Sequence, residues 1–308
     1  MKNNISLYFI SKPLQYFNVT NIDDENTKHL MVIDSFKDSY ILADRASQVD
    51  YWEKVEVFST YDLAFESVDV TKYTKLYIDS DYGYSKTSFL KKFKNVIINV
   101  YEEGAGTYIN NLRSTIEHNL GLGLGLGKIK SFLIKLIYRF YGHYDFHGGS
   151  KFTNNIYVYD VENYKQGKFL KGKNVLTFKN SFINHIQSPL VRKVLYPIEI
   201  DFLHLEKQDV LLYVSNWYVD VNVMEQIKNQ FNTYFKIVKL HPHIKMVDQS
   251  SDLFLSSFNT ILNGGEMLEF YIESLLQAKC RLTILHHGTS ALSYFNDYPF
   301  LEIQIKNK

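Results

Sequence analysis

The chain has 308 residues, more than one compact core usually holds, so two domains are expected. Apolar residues make up 45% and charged residues 22%, a globular balance that excludes a disordered chain. A net charge of +1 gives no global electrostatic case for nucleic acid, and the single cysteine, Cys280, excludes an intrachain disulfide.

The opening "MKNNISLYFISKPLQYF" holds an apolar run too short for a signal peptide, and Lys12-Pro13 interrupts it. No stretch reaches the roughly 18 uncharged apolar residues of a membrane span. The expectation is a cytoplasmic protein. Candidate strands follow in order: 6–10, 29–34, 54–58, 75–79, 95–101, 155–160, 174–178, 210–215, 235–240, 259–263, 282–287 and 300–305. Many are continuous apolar runs rather than alternating ones, which predicts parallel strands buried on both faces. Helical patterns between them fit β-α-β units. The segment 188–209 carries two prolines and then charge, and marks a junction between domains 1–195 and 196–308. Ligand is expected beyond the carboxyl ends of the strands.

Residues 119–130, "NLGLGLGLGKIK", read as a flexible loop. The following helical pattern sets Lys128, Lys135 and Arg139 on one face and Ile129, Leu133, Leu136 and Phe140 on another. Such a helix over 128–141 fits an anionic membrane surface or polymer, and equally a domain helix with a solvated basic face.

Four stretches offer chemistry. In "VYEEGAGTYI" (100–109), Glu102 and Glu103 end a strand, and Gly104 and Gly106 let the backbone turn sharply. Alternation lets only one of the two carboxylates point at a given site. In "KLHPH" (239–243), Pro242 stops a strand and leaves His241 at its carboxyl edge, where an imidazole can act as an acid or phosphate ligand. In "ILHHGTSALSYF" (284–295), Gly288, Thr289 and Ser290 lead into a predicted helix, either as a phosphate site or as an ordinary cap. In "NGGEMLEFYIESLLQAK" (263–279), Glu266, Glu269 and Glu273 have helical spacing, and a solvated acidic face is the plain alternative.

The combination and its order resemble the bacterial sialyltransferases of glycosyltransferase family 52 and the related polysialyltransferases. Those enzymes share an acidic-acidic-Gly motif, a His-Pro motif and a Ser-Ser or Ser-Thr motif. "FISKPLQYFN" (9–18) is also similar to the loop that follows the first strand in family 52. The likeness runs from residue 9 to about 295 as separated short motifs. It implies a GT-B fold, two Rossmann-like α/β domains facing a central cleft, with the acceptor bound by the first and CMP by the second. It implies inverting transfer of sialic acid from CMP-sialic acid to a glycan hydroxyl, with no metal or other cofactor.

Carried over by position, the resemblance makes Glu102 the leading general base and Glu103 its reserve. It makes His241 the group that meets the CMP phosphate, and Thr289 and Ser290 the hydroxyls that hold it. Glu273 is the better placed to recognise the nucleotide, with Glu269 as the alternative. Lys239 and Pro242, Gly104 and Gln15 accompany these motifs beside the substrates. The chain departs from the common pattern with Glu-Glu and with Thr-Ser, and both changes keep the chemistry. The pair His286-His287 is unusual, and fits either a second phosphate contact or simple packing.

Rival readings are weaker. His143, Asp145 and His147 have partial metal-ligand spacing, but glycines flank them. "GLGLGLG" follows no clear strand and lacks an acidic partner for a dinucleotide. A different CMP-activated acid sugar, or a glycan-binding protein without activity, remains as an alternative function. The oligomeric state is left open.

Overall fold

The computed structural model describes residues 4–109, 146–197, 200–216, 220–241, 254–262 and 266–305. The basic stripe at 128–141, His143, Asp145 and Pro242 lie outside these residues. The chain divides into two compact units, Met1–Val194 and Leu195–Lys308.

Every apolar run predicted as a strand forms one. In the first unit these are β1 (Ile5–Ile10), β2 (Thr27–Ile33), β3 (Lys54–Phe58), β4 (Lys75–Ile78), β5 (Ile97–Tyr101), β6 (Asn155–Val158) and β7 (Asn174–Thr177). In the second they are β8 (Asp209–Val214), β9 (Phe235–Lys239), β10 (Thr260–Leu262), β11 (Arg281–His286) and β12 (Leu301–Gln304). The helices are α1 (Pro13–Thr20), α2 (Ser39–Ser47), α3 (Tyr61–Ser67), α4 (Tyr84–Leu90), α5 (Val161–Lys165), α6 (Phe182–Ile186), α7 (Pro189–Leu195), α8 (Val221–Gln230) and α9 (Leu268–Gln277).

The first sheet has the order β3-β2-β1-β4-β5-β6-β7, and the second β10-β9-β8-β11-β12. Neighbouring strands are parallel throughout both. Parallel neighbours need crossovers, which cover both faces of a sheet. Central strands therefore read as unbroken apolar runs. In β1 the residues Ser6–Ile10 are all buried, and so are Leu282–His286 in β11. The edge strands β3, β7 and β12 are mostly half-buried or exposed.

The first core centres on Phe9, Phe65 and Phe89 with Leu7, Ile78 and Val100. Phe65 and Phe89 stack at 3.9 Å, and Phe9 meets both rings edge-on. Each such ring contributes on the order of 2 kcal/mol through removal from water. The second core gathers Leu211, Tyr213, Ile227, Val238, Phe254 and Leu285. Tyr196 stacks on Phe270 of α9 at 5.1 Å. Helix starts follow local chemistry: Pro13 opens α1, and Thr60, Asp160, Ser181 and Asp220 each accept a first-turn amide.

Two predicted elements differ. Residues after Ser290 form a five-residue 3-10 turn, Ala291–Phe295, rather than an α-helix. Leu292 and Phe295 are buried, so packing of these two rather than helix propensity sets the segment. The helix expected over 263–279 spans Leu268–Gln277. Among the described residues no helix is long and apolar enough to cross a membrane.

Helix α1 is buried along its length from Gln15 to Thr20. Its polar groups therefore need partners inside the protein. His185 of α6 supplies one contact, with Nε2 3.0 Å from the Phe17 carbonyl oxygen and 3.1 Å from Thr20 Oγ1. Among the described residues its buried Nδ1 has no partner, so a second ring proton would find no acceptor there. Burial holds the imidazole down to about 4, and the Phe17 carbonyl offsets this only in part. The unfolded imidazole takes its proton near 6.5, so the unfolded chain binds more protons between that pH and about 4. Stability therefore falls as pH drops through this window, by about 2 kcal/mol at pH 5 from this group. Urea unfolding of His185→Gln should lose correspondingly less between pH 7 and pH 5 than the wild type. Equal losses would remove His185 as the cause.

Candidate functional site

In the first sheet the strand order reverses between β1 and β4, which lie side by side. A reversal sends the flanking crossovers to opposite faces and leaves a crevice at the strands' carboxyl ends. Gln15, Asp79 and Glu103 follow β1, β4 and β5 at that edge. Gln15 is fully buried, and its Oε1 accepts from the Ser11 amide and from Ser11 Oγ at 3.1 Å. Its Nε2 donates to Asp79 Oδ2 at 3.2 Å. Both ends of the predicted substrate contact are thus used inside the protein, and Gln15 shapes the Ser11–Pro13 turn.

Asp79 was not singled out in the sequence. Its other oxygen accepts from Tyr61 Oη at 2.7 Å and Lys86 Nζ at 2.9 Å. Lys86 also lies 4.2 Å over the Tyr61 ring. Burial, with Asp79 beside it, pushes the Tyr61 phenol well above its ordinary range. The sequence carries a signal for it, a carboxylate placed directly after a buried strand in "LYID", the same pattern as the glutamate pair. Asp81, two residues on, is fully buried. It accepts from the Gly148 and Ser150 amides at 3.0 and 2.7 Å and from Thr153 Oγ1 at 2.7 Å. It holds the loop that leads into β6.

The two glutamates have different surroundings. Glu102 is fully buried. Its Oε2 accepts from Tyr108 Oη and from the Tyr159 amide at 2.9 Å, while its carbonyl accepts from Asn18 Nδ2 at 2.6 Å. Glu103 is half-buried and lies toward Tyr61 and Tyr101, whose phenols its charge helps to raise. Among the described residues no donor reaches its carboxylate, although its amide donates to Thr107 Oγ1 at 3.0 Å. Gly104 follows with φ of +119°, a backbone that a side-chain-bearing residue rarely adopts. His147, from the partial metal pattern, places Nε2 3.0 Å from the Tyr101 carbonyl oxygen.

The second sheet repeats the reversal, between β8 and β11. Ser215, His241 and Thr289 follow β8, β9 and β11 at the carboxyl edge. The His241 amide donates to Ser215 Oγ at 2.8 Å, and the Ser215 amide donates to the Lys239 carbonyl at 3.0 Å. These two bonds tie the His241 backbone to the end of β8. Lys239 is buried, with Nζ 3.3 Å from the Leu240 carbonyl. Glu269 and Glu273 on α9 are both buried rather than forming a solvated face. Burial raises the Glu269 carboxyl above its ordinary range, and the nearby Lys239 ammonium opposes that shift. Glu273 accepts from Gln277 Nε2.

The loop after β11 differs from the expected phosphate cradle. The Gly288 and Thr289 amides donate to His286 Nδ1 at 3.0 and 3.1 Å. They are therefore satisfied within the protein rather than open to an anion. Thr289 Oγ1 accepts from the Ala291 amide at 3.3 Å, and Ser290 is exposed. Of the unusual histidine pair, His286 shapes this loop, and His287 Nε2 lies 2.9 Å from Tyr213 Oη.

No family model matches the chain, and no curated protein matches it in sequence. Solved structures do match its fold. A UDP-N-acetylglucosamine 2-epimerase superposes with a TM-score of 0.52 at 10% identity, covering 100% of this chain and 80% of that one. The UDP-GlcNAc 2-epimerase of Methanocaldococcus jannaschii, in complex with UDP-GlcNAc and UDP, gives 0.52 at 11%, covering 97% and 83%. A second structure of that enzyme gives 0.50 at 10%, covering 97% and 83%. The fold is thus of the GT-B kind, two parallel-sheet α/β domains, as the sequence predicts.

The Asp79 cluster yields a stability test. Asp79→Ala leaves the Lys86 ammonium unpaired in a mostly buried place, which should cost about 3–5 kcal/mol in urea unfolding. Adding Lys86→Met should restore part of that loss, because no buried lone cation then remains. A double variant no more stable than Asp79→Ala would show that the ion pair is not the reason.

Proposed function

We propose that the chain is an inverting, metal-independent sialyltransferase, taking sialic acid from CMP-sialic acid to a sugar hydroxyl, with a galactoside of a surface polysaccharide as acceptor. The observation that carries the reading is the contrast between the two glutamates. A base must reach its substrate and must have lone pairs to offer. Glu103 meets both conditions, whereas Glu102 is enclosed and holds Tyr108 and the Tyr159 amide. The ranking taken from the resemblance is therefore reversed, with Glu103 as base and Glu102 as the support that fixes the turn.

In this reading the acceptor oxygen attacks the anomeric carbon as Glu103 takes its proton. The bond from that carbon to the phosphate oxygen breaks, and its electron pair leaves with CMP. His241 and the Thr289 and Ser290 hydroxyls stabilise the charge that builds there. Glu269 or Glu273 recognises the cytidine. The first unit serves the acceptor and the second the donor. Other CMP-activated acid sugars would use the same nucleotide groups.

The test is CMP release from CMP-N-acetylneuraminate with a galactosyl acceptor and EDTA present, beside CMP binding by calorimetry. Wild type should bind CMP and turn over. Glu103→Gln should lose at least about 100-fold in kcat with CMP affinity unchanged, the scale of a lost general base. Glu102→Gln should act mainly on stability. His241→Ala should lower turnover and CMP affinity together. UDP and UDP-GlcNAc are the controls, since the same fold serves the epimerases. Binding of UDP in place of CMP would overturn the reading.

A further inference from the structure

The loop Gly288–Ser290 is built by an unusual contact. An asparagine or aspartate side chain often accepts the amides two and three residues ahead of it and so closes a turn. Here an imidazole does this. His286 Nδ1 accepts from the amides of Gly288 and Thr289, at i+2 and i+3. Its other nitrogen, Nε2, lies 2.9 Å from Glu302 Oε1 on β12. His286 itself is buried, and its Cα pairs in register with Gln304 of β12. Two donors on Nδ1 require that nitrogen to be bare, and the carboxylate on the far side requires a hydrogen on Nε2. Only the neutral Nε2–H tautomer satisfies both partners. Glu302 thereby selects the form of the ring that can hold the loop.

Other bonds at the loop lie on its far side: Thr289 Oγ1 accepts from the Ala291 amide at 3.3 Å, and the Ser290 carbonyl accepts from the Ser293 amide at 3.2 Å and Ser293 Oγ at 2.7 Å. Gly288 has φ of +100°, and Ser290 is exposed. The turn that follows is short, with no side-chain cap from Ser290. We propose that His286 is a positioning residue. Its tautomer, set by Glu302, fixes the Gly288–Ser290 turn and so places the Thr289 and Ser290 hydroxyls for the donor phosphate. The final step rests on the nucleotide reading above, while the tautomer and the turn do not.

Two measurements test the idea together. The first is NMR of the wild-type chain, following the His286 ring nitrogens and the exchange of the Gly288 and Thr289 amides. An unprotonated Nδ1, a protonated Nε2 and slow exchange of both amides are expected, and a hydrogen on Nδ1 overturns the proposal. The second is CMP affinity across His286→Asn, His286→Gln and His286→Ala. Asparagine puts an oxygen where Nδ1 stood and should keep affinity within about threefold and the amides protected. Glutamine reaches toward Glu302 and should leave the amides unprotected. Glutamine and alanine should each weaken CMP binding at least tenfold. If alanine does not fold, the asparagine–glutamine contrast decides, and equal behaviour of these two overturns the proposal. Wild type that shows the expected tautomer and protection but no CMP binding would sink the nucleotide reading, and with it the phosphate step alone.

Discussion

Parallel strand pairing governs this protein. A parallel strand cannot return by a tight turn, so each one sends the chain over a face of the sheet before the next begins. All carboxyl ends then lie along one edge, and the loops that leave them carry whatever chemistry the chain has. Where the strand order reverses, the crossovers part to opposite faces. Both sheets have this reversal, β1 beside β4 and β8 beside β11. The polar residues that matter sit just past those strands and their neighbours.

A crevice at a strand edge must still be given a shape, and here buried polar groups do so. Asp79, Asp81 and Glu102 each follow a strand of the first sheet, and each accepts from several donors in the surrounding helices and loops. A buried carboxylate is costly unless so satisfied, and once satisfied it holds its neighbours in one arrangement. In the second unit Ser215 and His286 have the equivalent task, bonded to the His241 amide and to the Gly288 and Thr289 amides. Among the described residues the Glu103 carboxylate stands outside these networks, and the Ser290 side chain is exposed beside another of these turns.

Much of the fold was legible in the chain. Continuous apolar runs such as "VLLYV" and "LTILH" mark strands buried on both faces, and their parallel pairing follows from that burial. The reach of the pattern ended at short range. "ALSYF" has a helical look, but Leu292 and Phe295 pack into the core through a 3-10 turn. Whether the Gly288 and Thr289 amides stay open after β11 depends on His286, a residue that reads locally as the end of a strand.

The candidate site was legible in position more than in role. Composition and order determined that carboxylates follow β4 and β5 and that a histidine follows β9, because backbone alternation and strand length are properties of the sequence itself. Which carboxylate is enclosed depends on Tyr108 and Tyr159, and on Asn18 from a helix 84 residues earlier. Which amides are already paired depends on His286 and on Glu302 in the next strand. The bonds from Asn18 and from the Tyr159 amide to Glu102 join residues far apart in the chain, and only the folded sheet order brings these partners within reach.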